Sequence, residues 1–150
     1  VFGEKKFNEP LLGIYVGLTY LLLYFYFSKN KIKLMKISLL ISIPGYLFDT
    51  MMIFLSVYEF NSTLYLGILP LWMTVLWLSF STLFDEILQF FKKYKILGII
   101  LSGVLAPLTY YLGYPIGIIS INNVMIFFVA MITFWVLLMI YYLEILLKDN

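Results

Sequence analysis

Residues 102–117, SGVLAPLTYYLGYPIG, decide how the chain is read. Ser102, Ala106, Thr109 or Tyr110, Gly113 and Gly117 recur in it at helical spacing. In a bilayer, apolar helices gain nothing by hiding from lipid tails. Small residues let two backbones approach, so that dispersion and interhelical hydrogen bonds can act. Pro107 falls in mid-stretch and Pro115 near its far end. A proline inside a helix frees the carbonyl four residues earlier and kinks the axis. In lipid that carbonyl needs a partner, so the kink is expected to face protein. The stretch predicts a membrane-spanning helix with a small-residue face on which other helices pack.

Composition agrees. The 150 residues are 63% apolar, 20% aromatic and 12% charged, with a mean hydropathy of +1.00. Soluble domains are about 45–50% apolar and about 25% charged, so a soluble chain of this kind would have nowhere to put its side chains. The apolar runs are long and unbroken rather than alternating, which argues for helices and against a barrel. All ten cations are Lys, and the chain has no His and no Cys. That excludes thiolate chemistry, disulfides, Cys/His metal sites and a Ser-His-Asp triad. No cofactor and no nucleic-acid partner is expected.

Five spans are expected, at about 11–27, 37–57, 64–84, 96–119 and 124–147, with an amphipathic surface segment at 85–95 between the third and fourth. The first holds Gly13 and Gly17 in small-xxx-small spacing. The second holds Pro44, Gly45 and Asp49, the third Pro70, Trp72 and Trp77, and the fifth Trp135 and Glu144. The whole is read as one all-α helical membrane domain over residues 1–150.

Lysines set the expected orientation. Short Lys-rich loops stay in the cytoplasm. Lys29, Lys31, Lys33, Lys36, Lys92, Lys93, Lys95 and Lys148 fall on one side of the five spans, and only Lys5 and Lys6 on the other. The C-terminus is therefore expected inside. The N-terminal residues do not read as a signal peptide, and an outside start suggests one further span upstream, making six.

Asp49 is the sharpest polar signal. An ionised carboxylate at a helix centre costs about 2.5–3.5 kcal/mol on insertion scales. No span supplies Lys, Arg or His to pair with it. It is either protonated or solvated by hydroxyls, water or a bound cation. Ser42, Gly45, Asp49, Met52 and Ser56 share one helical face, which either lines a polar cavity or packs across a helix interface. Asp85 and Glu86 at the inner end of the third span are weaker candidates, because interfacial acids are cheaply solvated. Tyr110 is a candidate to face Asp49. Trp72 falls toward an interfacial aromatic belt, and Trp77 deeper, as a packing or pocket residue.

Three pieces of this sequence resemble a known family. They are Gly45-Tyr-Leu-Phe-Asp49, then Pro70-Leu71-Trp72 with Trp77-Leu-Ser-Phe80, then Ala106-Pro107-Leu108-Thr109-Tyr110 with Gly113 and Gly117. In that order they resemble the bacterial membrane proteins grouped as domain of unknown function 2878. The resemblance implies a multi-pass protein of the bacterial cytoplasmic membrane with one more N-terminal span, and no assigned activity. It also implies genes that neighbour lipid-modifying enzymes. Asp49, Pro70, Trp72, Trp77, Pro107, Tyr110, Gly113 and Gly117 carry over as motif positions without roles. Ala106 stands where the family has Gly, Pro115 where it often has a basic residue, and Asp85-Glu86 where other polar residues are usual.

Three function classes remain open from the sequence. One is an accessory protein that handles membrane lipid, with Asp49 and Tyr110 reading a polar group. Another is a small proton-coupled transporter using Asp49, in which a homodimer would supply a second carboxylate. The last is an intramembrane enzyme using Asp49 and Tyr110. The expected partners are the bilayer and a lipid or small-molecule ligand.

Overall fold

The computed structural model describes residues 11–86 and 88–146, the side chains at 85–89 and beyond 144 excepted. The chain is mostly helical: α1 (Leu12–Phe27), α2 (Lys31–Phe54), α3 (Leu71–Glu86), α4 (Lys95–Leu112) and α5 (Val124–Tyr141). A 3₁₀ segment, Leu88–Lys92, precedes α4, and a π-helical turn, Tyr142–Leu146, continues α5. Among the described residues, three stretches are long and apolar enough to cross a membrane: Lys31–Phe54, Lys95–Leu112 and Val124–Glu144. The helices α1 and α3 are apolar but shorter, 16 residues each, or about 24 Å at 1.5 Å per residue. Three of the five expected spans therefore have the length for a bilayer of about 30 Å.

The chain groups into two compact units. One comprises the part up to Met51 together with Ser62–Asp85, the other Met52–Asn61 together with the part from Glu86 on.

In the first unit α3 is held from two sides. From α1, Tyr20 shares a 2.7 Å hydrogen bond with the Thr82 hydroxyl. A Cβ on Gly17 would lie 2.5 Å from Val75. Gly17 and Tyr20 are three apart, so they share a face of α1. The glycine lets the α1 backbone come down on Val75, while Gly13, the other half of the small-xxx-small spacing, is exposed. From α2 come the polar contacts described below.

A hairpin stands where the third expected span was to begin. Tyr65–Leu66 (β2) and Leu69–Pro70 (β3) pair antiparallel, with Leu66 opposite Leu69. Gly67, at φ +67, opens the two-residue connection. Such tight turns require positive φ at the first central position, which glycine supplies. Pro70 has no N–H to give a ladder, so it closes the strand and α3 starts after it.

In the second unit α4 and α5 form an antiparallel pair around small residues. A Cβ on Gly98 would come 2.7 Å from Met139, and one on Gly103 would come 2.9 Å from Val136. The Ser102 hydroxyl donates to the Trp135 carbonyl at 3.2 Å. At the open end Lys95 meets Glu144 at 2.5 Å. Both side chains are exposed by about two-fifths, so the pair contributes roughly 0–1 kcal/mol.

The fourth expected span, to residue 119, is corrected by this geometry. The helix stops at Leu112, and Gly113, Pro115 and Gly117 lie in turns. Ile118 N–H bonds the Gly113 carbonyl and Gly117 N–H bonds that of Tyr114, with Gly117 left-handed at φ 67. This pair of bonds closes a Schellman turn. Pro115 cannot continue a helix ladder, which is why the chain turns there. The small face used for packing is Gly98, Ser102 and Gly103, one turn or more upstream of the glycines that the repeat in 102–117 suggested.

A matching turn ends α2. Val57 N–H bonds Met52 and Ser56 N–H bonds Ile53, with Ser56 at φ 54. Each turn leads straight into a strand, Tyr58–Phe60 (β1) and Ile119–Ile121 (β4). The two strands pair antiparallel, with Glu59 opposite Ser120. The Asn61 amide donates to the Gly117 carbonyl at 3.1 Å and to the Ser120 hydroxyl at 3.2 Å, and the Asn122 amide to the Ser56 carbonyl at 3.0 Å. The two loops expected on one side of the membrane are thus bonded to each other.

Candidate functional site around Asp49

Ser42, Gly45, Tyr46 and Asp49 stand at intervals of three, one and three along α2, which places all four on one helical face. Each meets α3. The Ser42 hydroxyl donates to the Trp77 carbonyl at 3.3 Å. The Tyr46 hydroxyl donates to the Thr74 carbonyl at 2.6 Å. The Trp77 indole N–H donates to Asp49 Oδ2 at 2.6 Å.

Gly45 explains how one tryptophan reaches both ends of this face. Side chains on a helix lean toward its N-terminus. The Trp77 ring leaves its own backbone beside Ser42, lies across Gly45 and ends at Asp49. A Cβ at position 45 would sit 2.5 Å from three ring atoms. Only a glycine leaves room for the indole to lie on the α2 backbone. The arrangement is sealed: Asp49 and Ser42 are fully buried and Trp77 is 3% exposed.

The chemistry of the pair follows from its donor set. Indole N–H is a donor only and neither takes nor gives up a proton in this range. A carboxyl oxygen accepts from it whether or not the acid is ionised. The pair therefore fixes a hydrogen bond and does not constitute a general acid–base couple. An interhelical bond of this kind contributes about 0.6–2 kcal/mol in a membrane.

Other expected positions fall elsewhere. Met52 keeps to the buried face of α2, but Ser56 leaves it because the helix ends at Phe54. Trp72 is buried on α3, one turn before Trp77. Asp85 and Glu86 end α3; their side chains lie outside the described residues. Tyr110 belongs to the second unit, where its ring meets Tyr58 and Phe60, each at 6.2 Å. Pro107 is buried within α4. Thr109 bonds the Leu105 carbonyl of its own helix.

Tyr46 and Thr82 were not anticipated from the sequence. Tyr46 was legible, since it is four residues after Ser42 and three before Asp49. Thr82 has no such marker, because its partner Tyr20 is 62 residues away.

A comparison with curated proteins and with solved structures gives no match. The family model described as "Protein of unknown function (DUF2878)" matches residues 1–141, nearly the whole chain, including the Asp49–Trp77 pair and the Pro107 and Gly113–Gly117 segments. The chain therefore belongs to the DUF2878 family.

Proposed function

We propose that this is a multi-pass protein of the bacterial cytoplasmic membrane that acts as an accessory in handling membrane lipid, with Asp49 holding its helices in place. The carrying observation is the sealed Asp49–Trp77 bond. The acid that α2 carries accepts from a neutral, non-titrating donor and has no exposed surface. A proton-coupled carrier needs that acid to meet water, and an enzyme needs it to meet substrate. The helices turn Leu22, Phe54, Ile96, Leu112, Met125 and Val129 outward, side chains suited to acyl chains rather than to polar solutes.

In this reading α1 and α3 complete a five-span arrangement. The Lys-rich connections face the cytoplasm, and so does the C-terminus. The pairing of β1 with β4 supports a shared side for the loops that contain them.

The test is lipid analysis of cells carrying the wild-type gene, a deletion, or Asp49→Asn at matched protein level. The deletion is expected to change the lipid profile and Asp49→Asn to restore it, because an amide oxygen still accepts from the indole. No lipid change in the deletion overturns lipid handling. Failure of Asp49→Asn to restore the profile, with the protein folded, returns Asp49 to the transporter or enzyme reading.

A further inference from the structure

We infer that the β2–β3 hairpin is inserted in the membrane, with its tip at Leu66–Ile68 among the acyl chains of the leaflet away from the Lys-rich connections. This inference rests on the membrane-embedded reading but not on lipid handling.

The level of the hairpin follows from how α3 is held against α2. The Ser42 hydroxyl reaches the Trp77 carbonyl, so these two residues stand at matching heights. From Ser42, α2 runs on to Phe54 for about 18 Å, whereas α3 reaches back from Trp77 to its start at Leu71 for only about 9 Å, at 1.5 Å per residue. The contact of Tyr46 with the Thr74 carbonyl gives a similar offset. The helix α3 therefore starts well short of the level at which α2 ends. The last turn of α2, Met51–Phe54, is still entirely apolar. The segment that leads into α3 thus lies at a depth that belongs to lipid rather than to water.

The composition of that segment fits the depth. Residues 60–84 contain no Asp, Glu or Lys, and the hairpin itself is Tyr65-Leu-Gly-Ile-Leu-Pro70. It has an inner and an outer side. Leu69 and Pro70 are buried against protein, while Leu66 is 60% and Ile68 48% exposed. A Cβ on Gly67 would meet nothing within 4 Å, so the tip stands clear of the rest of the chain. Non-helical backbone is excluded from lipid when its polar groups have no partner. Here Tyr65 pairs with Pro70 and Leu66 with Leu69. The Leu71 N–H donates to the Leu64 carbonyl at 3.0 Å, and the Leu64 N–H to the Ser62 hydroxyl at 3.4 Å. A hairpin that serves its own backbone and turns leucine and isoleucine outward fits phospholipid acyl chains just below the headgroups.

The test places single cysteines in the full chain, labels them with an environment-sensitive fluorophore and reconstitutes the protein in phosphatidylcholine vesicles. Leu66→Cys and Ile68→Cys probe the tip. Leu47→Cys, exposed on α2, marks the lipid, and Glu59→Cys marks the water. The tip labels are expected to emit to the blue of the Glu59 label. They should be quenched several-fold more by lipids carrying a nitroxide high on the acyl chain, and several-fold less by iodide. Tip labels that behave like the Glu59 label, while the Leu47 label is quenched by the nitroxide lipid, overturn the insertion alone. A Leu47 label that iodide reaches and the nitroxide does not defeats the membrane reading itself. If a label disturbs the fold, the unlabelled Leu66→Cys variant decides. A thiol among acyl chains ionises poorly, so it should react with a membrane-impermeant maleimide several-fold more slowly than Glu59→Cys. Equal rates overturn the insertion.

Discussion

Asp49 shows how a costly residue is made tolerable. A fully buried carboxyl group on an apolar helix is stable only with a good partner, and Trp77 supplies an N–H at 2.6 Å. Asn at position 49 preserves the acceptor and can never ionise. We expect Asp49→Asn to change unfolding stability by less than about 1 kcal/mol, whereas Asp49→Leu leaves the indole N–H buried without this acceptor and costs about 1–3 kcal/mol. Thermal melts in detergent, followed by tryptophan fluorescence, measure both. A strongly destabilised Asp49→Asn with a tolerated Asp49→Leu would show that the bond does not hold the helices. The aspartate was visible in the sequence as an acid within a long apolar run. Its partner was not, because the donor lies 28 residues away on another helix, and Trp77 read equally well as packing or as a pocket wall.

At the level of elements, glycines decide how closely helices meet. Gly45 lets the Trp77 ring lie on the α2 backbone, and the ring is rigid and tethered at its nitrogen. Gly45→Ala is therefore expected to cost about 1–3 kcal/mol through overpacking, read as a lower melting temperature. An unchanged melt would mean that the indole moves aside freely. The ends of elements are governed by turn chemistry instead. Ser56 occupies the left-handed position of its Schellman turn, where a side chain is strained. Ser56→Gly is expected to stabilise the chain by roughly 0.5–1 kcal/mol, offset in part by glycine's greater freedom when unfolded. Here the periodic reading of 102–117 went too far. Small residues at helical spacing look alike whether they pack a helix face or close a turn, and Gly113 and Gly117 do the latter.

Across the whole molecule, the paired loops carry the topology. The strand containing Glu59 and the strand containing Ser120 are hydrogen-bonded, while Lys29 belongs to the connection at the opposite end of α2. The chain has no cysteine, so single-cysteine variants give clean labelling. With a membrane-impermeant thiol reagent on intact cells, Glu59→Cys and Asn122→Cys are expected to react, and Lys29→Cys only after permeabilisation. Reaction of positions 29 and 59 from the same side would overturn the proposed arrangement of spans.

Composition and unbroken hydropathy determined, without any coordinates, that this is an apolar helical chain, where most of its helices run and that Asp49 is its most unusual residue. These are local properties, set by side-chain transfer energies and helical periodicity. The start of the third expected span, residues 64–70, folds as a hairpin instead. Tyr65-Leu-Gly-Ile-Leu-Pro70 is as apolar as a span, and its hairpin follows from the positive φ of Gly67. Only the tertiary structure decided which polar groups meet: Asp49 with Trp77, Tyr46 with Thr74, Tyr20 with Thr82, and β1 with β4. Those pairings join residues 28 to 63 positions apart. Neighbours along the chain do not encode them; they arise when buried donors and acceptors must find each other because lipid offers them nothing.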